Sequence, residues 1–285
     1  MFQKATKQQA KLRCAIFGPA GSGKTFSALR IATGMGHGIA FIDTERGSAS
    51  KYADRFEFDV CELDDQSIDG YAAAIEGAGK AEYGTLIIDS LSHAWQQLLA
   101  EIDRLAKTKY RGNTWGAWSE GTPAQRRLVD AILRYPGHVI GTMRSKTEWQ
   151  TEDTQNGKKK PVRVGLAPEQ GKGIEYEFDL LLELSTEHVA NVIKDRTDKF
   201  QDQTIEKPGE ELGAALQAWL SEGEPVVYAN VELSEKIRAR AKAHHIDLAP
   251  VLAKARADDV ARLTQAQAEK TWDWLEKKTN TNGDA

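Results

Sequence analysis

Short apolar runs recur along the chain, at 12–17, 38–43, 58–63, 85–89, 138–143, 178–184 and 188–194. Glycine or polar residues bound most of them, and runs of roughly four to eight such residues suit strands buried on both faces. Between them the spacing turns helical. After Asp89, the residues Leu91, Trp95, Leu98, Ile102 and Leu105 fall on one helix face. A second helix is predicted over 123–134, with Thr122 as N-cap and Pro123 at the first position, where its missing N–H is harmless. Strands alternating with helices predict an α/β fold, a mostly parallel sheet flanked by helices.

The pattern changes twice. Residues 147–173 are polar and rich in Lys, Gly and Gln, with Asn156-Gly157 as a two-residue hairpin signal; long polar insertions in compact domains are usually functional or disordered. Near 221–225 the chain reads Ser-Glu-Gly-Glu-Pro, a linker. Beyond it three short helices are predicted, at 233–244, 249–257 and 265–277, the last opened by a Thr264/Gln267 capping box. Trp272, Ala268 and Leu275 form an apolar stripe expected to be core, and 280–285 should fray. The predicted organisation is a core over 1–222, then a linker and a small all-α module over 223–285.

A chain of 285 residues has room for both. No run approaches the ~20 apolar residues of a membrane span, and 1–13 lack a signal-peptide core, so no membrane partner and a cytoplasmic location are expected. Cys14 and Cys61 lie in apolar stretches without metal-binding spacing, as buried thiols of a reducing compartment would. His244 and His245 lack further metal-type neighbours and are expected at the surface. A net charge of −4 argues against a globally basic nucleic-acid binder but leaves room for a local groove.

The strongest chemical signal is Gly18-Pro19-Ala20-Gly21-Ser22-Gly23-Lys24-Thr25, a phosphate-binding loop between an apolar strand and a helix-forming run that starts at Phe26. Gly18, Gly21 and Gly23 permit turns that aim backbone amides at phosphate oxygens, helped by the helix N-terminus. Lys24 supplies charge to the β- and γ-phosphates, and the Thr25 hydroxyl joins a Mg²⁺ shell. These eight residues and Phe26 form the predicted ATP site. Asp89 ends the apolar strand Leu86-Ile87-Ile88 and suits the second magnesium element, with Thr25 as its partner. Ser90 follows it, so the Asp-Glu pair typical of AAA+ motors is absent.

Ala40-Phe41-Ile42-Asp43-Thr44-Glu45 places Glu45 at a strand's carboxyl end, and here the chain resembles the RecA-like ATPases, whose Asp-x-Glu orients or deprotonates the attacking water. The continuation to Tyr52-Ala53 is similar too. The resemblance covers roughly 12–220 and is nearest to the phage-encoded RecA-like single-strand annealing proteins; it implies a RecA-like P-loop core and, for a phage protein, a bacterial host's cytoplasm. Thr142, in Val139-Ile140-Gly141-Thr142-Met143, stands where many members carry a Gln γ-phosphate sensor. Val192-Ile193-Lys194-Asp195-Arg196 resembles the Lys-x-Arg element of DnaB helicases and RadA, which implies that Lys194 and Arg196 join Lys24 and Glu45 in catalysis by reaching a neighbouring subunit's phosphates. The plain alternatives are a surface carboxylate for Glu45 and a solvated pair for the two cations.

Two segments fit the family's DNA loops. One, 107–118, carries Lys109, Arg111, Trp115 and Trp118, mixing cations with rings on which bases stack. The other carries Arg144, Lys146, Lys158, Lys159, Lys160 and Arg163. Each has a bland counterpart: tryptophans that pack a loop on the core, lysines on a solvated hairpin. The expected function is an ATP- and Mg²⁺-dependent homo-oligomer, filament or ring, that binds single-stranded DNA and promotes annealing or strand exchange, with a single-strand-binding protein as a further partner. The rivals are a ring helicase or translocase, a small-metabolite phosphotransferase, and a scaffold using ATP only as an assembly switch.

Overall fold

In strand β1 (Arg13–Gly18) side chains alternate between two cores: Ala15 and Phe17 enter one, Cys14 and Ile16 the other. Both faces of this strand are therefore covered, as its apolar run Cys14–Phe17 requires. The computed structural model describes residues 9–153, 159–255, 257 and 259–280. The chain forms two compact units, Ala10–Leu220 and a smaller one built on Ser221–Ala285.

In the larger unit the further strands are β2 (Ile39–Asp43), β3 (Asp59–Glu62), β4 (Thr85–Asp89), β5 (His138–Asp153), β6 (Lys159–Pro168), β7 (Leu180–Leu184), β8 (Val189–Asp195) and β9 (Thr204–Glu206). The helices are α1 (Lys24–Met35), α2 (Ile68–Lys80), α3 (Leu91–Thr108), α4 (Thr114–Arg134) and α5 (Glu210–Leu220). The sheet runs β3-β2-β4-β5-β1-β7-β8-β9, with β6 paired to β5. Strands β3 to β7 along that order are parallel; β8, β9 and β6 are antiparallel to their neighbours. One core holds Tyr71 and Ile75 of α2, Leu98 and Ile102 of α3 and Leu128 and Ile132 of α4. The other holds Leu29 and Ile31 of α1 with Leu212 and Leu216 of α5. Among the described residues no helix is long and apolar enough to cross a membrane.

Three expectations change. The helix predicted from Pro123 starts nine residues earlier, at Thr114, because the Asn113 side chain accepts the Gly116 N–H at 3.1 Å and caps it; Pro123 then lies inside the helix. Much of the polar 147–173 stretch is strand: β5 continues to Asp153 and pairs with β6 from Ser145↔Pro168 to Asp153↔Lys159, with an irregularity at Glu148/Trp149. The Asn156-Gly157 turn lies outside the described residues. Cys14 is buried, but Cys61 is exposed, because it lies on β3, an edge strand whose four residues are all exposed.

The smaller unit contains α6 (Val231–Ala243), α7 (Ala249–Ala255) and α8 (Gln265–Asn280) around Ile237, Leu263, Ala268 and Leu275, with Trp272 partly buried against them. Its capping box is reciprocal: Gln267 Oε1 accepts the Thr264 N–H at 2.9 Å and Thr264 Oγ1 accepts the Gln267 N–H at 3.3 Å. His244 and His245 are exposed. Residues 281–285, where fraying was expected, lie outside the described residues.

Candidate active site

β1 ends at Gly18 and α1 begins at Lys24, so the phosphate-binding loop sits at the carboxyl end of a central parallel strand, where α/β sheets place ligands. Gly21 (φ 77°) and Gly23 (φ 89°) adopt left-handed backbone that favours glycine. Gly18 does not, and its reason differs from the one expected: a Cβ there would lie 2.2 Å from the Leu184 carbonyl oxygen, so only glycine lets the β7–β8 turn approach. Within that turn His188 Nδ1 donates to the Ser22 carbonyl at 2.8 Å, bracing the loop from outside. Ser22 itself is buried.

Lys24 Nζ donates to the Gly18 and Pro19 carbonyls at 3.0 and 2.9 Å, arching over the loop. Burial lowers its pKa, Asp89 and Glu45 oppose that shift, and Arg144 adds to it. The loop and Phe26 line a cleft of about 970 Å³, together with Glu45, Asp89, Ser90, Arg144, Tyr52 and His188. That is ample for a nucleoside triphosphate.

Asp89 is nearly inaccessible, and both hydroxyls that donate to its carboxylate are neutral: Thr25 Oγ1 at 2.5 Å and Thr142 Oγ1. Burial raises its pKa, and the two hydrogen bonds pull it back only in part. A buried anion held by hydroxyls suits a hard cation with oxygen ligands. Among the described residues no group of three His, Cys, Asp or Glu could cage a metal, so magnesium would rest on Asp89, Thr25 and the nucleotide's own phosphates. Thr142 therefore stands behind the carboxylate and does not line the cleft.

Thr44 ties β2 to β4: its hydroxyl donates to the Asp89 carbonyl at 3.0 Å and accepts the Ser90 N–H at 2.8 Å. Asp43 is buried and organises the next turn, accepting the Glu45 and Ala49 N–H groups at 2.6 and 3.0 Å. Glu45 is lifted into the cleft by this turn, where its Oε1 meets Arg144 Nη2 at 3.3 Å.

The remaining predicted residues lie apart. Because β8 is antiparallel, Lys194 pairs with Leu181 and Asp195 with Leu180, at the end of the sheet where the parallel strands begin, opposite the loop. Lys194 Nζ donates to the Glu175 and Tyr176 carbonyls, both at 2.9 Å, and Arg196 reaches the Tyr176 carbonyl at 2.9 Å and Asp179 at 3.2 Å. The segment expected as the first DNA loop is mostly helix. Lys109 pairs with Glu120 at 2.7 Å, Arg111 occupies the turn between α3 and α4, Trp118 packs on Trp95 with ring centres 5.8 Å apart, and Trp115 is 89% exposed. Lys146 Nζ donates to the Gln170 carbonyl at 3.0 Å. Lys159, Lys160 and Arg163 stand on β6, while their side chains and the whole of Lys158 lie outside the described residues.

Sequence reasoning missed His188, Arg55 and Glu169, which also line the cleft. No local signal marks them, since each arrives from a separate loop through strand order.

Residues 10–209 match the family model described as AAA domain. No curated protein matches the chain. A solved structure described as a prototypical ATPase from the type III secretion system of pathogenic bacteria aligns over 93% of this chain and 80% of that one, at 14% identity and a TM-score of 0.37; so shallow a likeness carries no weight here.

Proposed function

The chain belongs to the AAA domain family and is an ATPase, and on that premise we propose that it is a RecA-like, single-stranded-DNA-binding recombination ATPase that couples Mg²⁺-dependent hydrolysis to annealing or strand exchange. The observation that carries this reading is a shared base. Arg144 and Ser145 of β5 and Glu169, just past β6, line the nucleotide cleft, and the same two strands run on as an arm bearing Lys146, Lys159, Lys160 and Arg163. A polyanion on the arm would act on strands whose bases line the nucleotide cleft.

In hydrolysis, a water oxygen bonds to the γ-phosphorus as the bond to the β,γ-bridging oxygen breaks, and that electron pair leaves with ADP. Glu45 accepts the water proton, Lys24 and the loop amides hold the β- and γ-phosphates, and Asp89 with Thr25 would hold the divalent ion. The ion, when bound, neutralises charge on the phosphates. Lys194 and Arg196, remote from their own cleft, complete that of a neighbouring subunit, which makes the working form an oligomer.

The test is ATP turnover with and without single-stranded oligonucleotide, beside gel shifts across a salt series. Stimulated turnover and affinity falling steeply with salt are expected. Turnover indifferent to DNA, with no shift at low salt, would refute the nucleic-acid reading, and directional unwinding of a forked duplex would favour a translocase.

A further inference from the structure

By sequence Arg144 falls among the nucleic-acid cations, yet its surroundings belong to the nucleotide. In the β1–β5 ladder it stands opposite Gly18, the first residue of the phosphate loop. Its backbone is held on both sides: its N–H donates to Ser92 Oγ at 2.9 Å, and its carbonyl accepts the Glu169 N–H at 2.7 Å. Along a strand, alternate residues share a face. Two positions before it, Thr142 donates to Asp89, so Arg144 continues the row that serves the magnesium carboxylate.

The guanidinium itself lines the cleft, and its ion-pair partner is Glu45, at a single 3.3 Å contact between partly exposed groups. A pair so placed exchanges partners readily. Lys24 lines the same cleft. Two cations pressing on one another across a phosphate loop are at ease once a polyanion lies between them, and arginine's planar fork suits phosphate oxygens.

We propose that Arg144 is a further catalytic cation of this site, contacting the γ-phosphate of ATP bound to the same chain, and that the triphosphate takes it from Glu45, freeing that carboxylate for water. The inference rests on ATP hydrolysis and is independent of DNA binding. ADP has no γ-phosphate and leaves the Glu45–Arg144 pair intact, so Arg144 discriminates between the two nucleotides.

The experiment titrates fluorescent ATP and ADP analogues into wild type, Arg144→Ala, Glu45→Gln and the double variant, and measures turnover for wild type, Arg144→Ala and Arg144→Lys. Arg144→Ala is expected to weaken ATP by about tenfold while sparing ADP, and to lower kcat on the order of 10²-fold or more; Arg144→Lys should recover part of the turnover. Glu45→Gln should tighten ATP, and that gain should vanish when Arg144 is also replaced, because the competition it relieves has gone. Retained ADP affinity reports folding, and Arg144→Gln carries the same expectation should the alanine variant not fold. An unchanged ratio of ATP to ADP affinity in Arg144→Ala would overturn the proposal. So would weakened oligonucleotide binding with that ratio intact, which would assign the guanidinium to nucleic acid.

Discussion

Replacing Thr142 with Val tests how a buried carboxylate at the centre of the site is kept charged. Thr142 is inaccessible, and its hydroxyl donates to Asp89, itself nearly inaccessible. A hydrogen bond to a charged group contributes about 1.5–3 kcal/mol, and the methyl that replaces the hydroxyl offsets roughly 0.8 kcal/mol through apolar burial. The net destabilisation is about 1–2 kcal/mol with Asp89 ionised. Its pH dependence has a definite sign. Burial raises the Asp89 pKa above its unfolded value, so this group's contribution to stability is fully present below the unfolded pKa and lost as pH rises through the folded one. The Thr142 hydrogen bond lowers the folded pKa. Its removal raises that pKa further and costs most on the alkaline side. Urea unfolding followed by tryptophan fluorescence, at one alkaline and one acidic pH, should show the difference between Thr142→Val and wild type shrinking toward acid. Equal destabilisation at both values, or less than about 0.5 kcal/mol at the higher one, would refute the reasoning.

Gly18→Ala should lower the unfolding free energy by about 1–3 kcal/mol, since its Cβ would sit 2.2 Å from a backbone carbonyl that must move; an unchanged melting temperature would contradict the close approach of β1 and the β7–β8 turn. His188→Ala should weaken ATP and ADP together by roughly fivefold, the loss of one hydrogen bond to the loop, and an effect confined to ATP would count against that role. The two tryptophans of α4 should separate. Trp118→Ala should cost about 3 kcal/mol or more of stability through lost packing on Trp95, whereas Trp115→Ala should stay within about 0.5 kcal/mol in unfolding. If Trp115 is the ring on which bases stack, the same variant should lose about 1–3 kcal/mol of single-stranded DNA affinity, and unchanged affinity would remove it from the interface.

The amino-acid sequence alone determined the phosphate loop, the acidic end of β4 and the position of Glu45, because each depends on residues close along the chain. Alternating burial and local turns set such elements. It determined the capping box of α8 for the same reason. It did not reveal α2, whose Gly70, Gly77 and Gly79 weaken helical preference; burial of Ile68, Tyr71 and Ile75 against the sheet decides that helix. The start of α4 was missed, because the Thr122-Pro123 signal pointed to a later start than the Asn113 cap that the structure uses. Strand order lay beyond the sequence. Only the sheet places β7 beside β1, bringing His188 onto Ser22, and β5 between β4 and β1, bringing Thr142 to Asp89 and Arg144 to Glu45. Such contacts join residues far apart in the chain, so no local preference encodes them. The tertiary structure thus turned a loop that binds phosphate into a cleft with its own buried anion, its own poised arginine and a brace from outside.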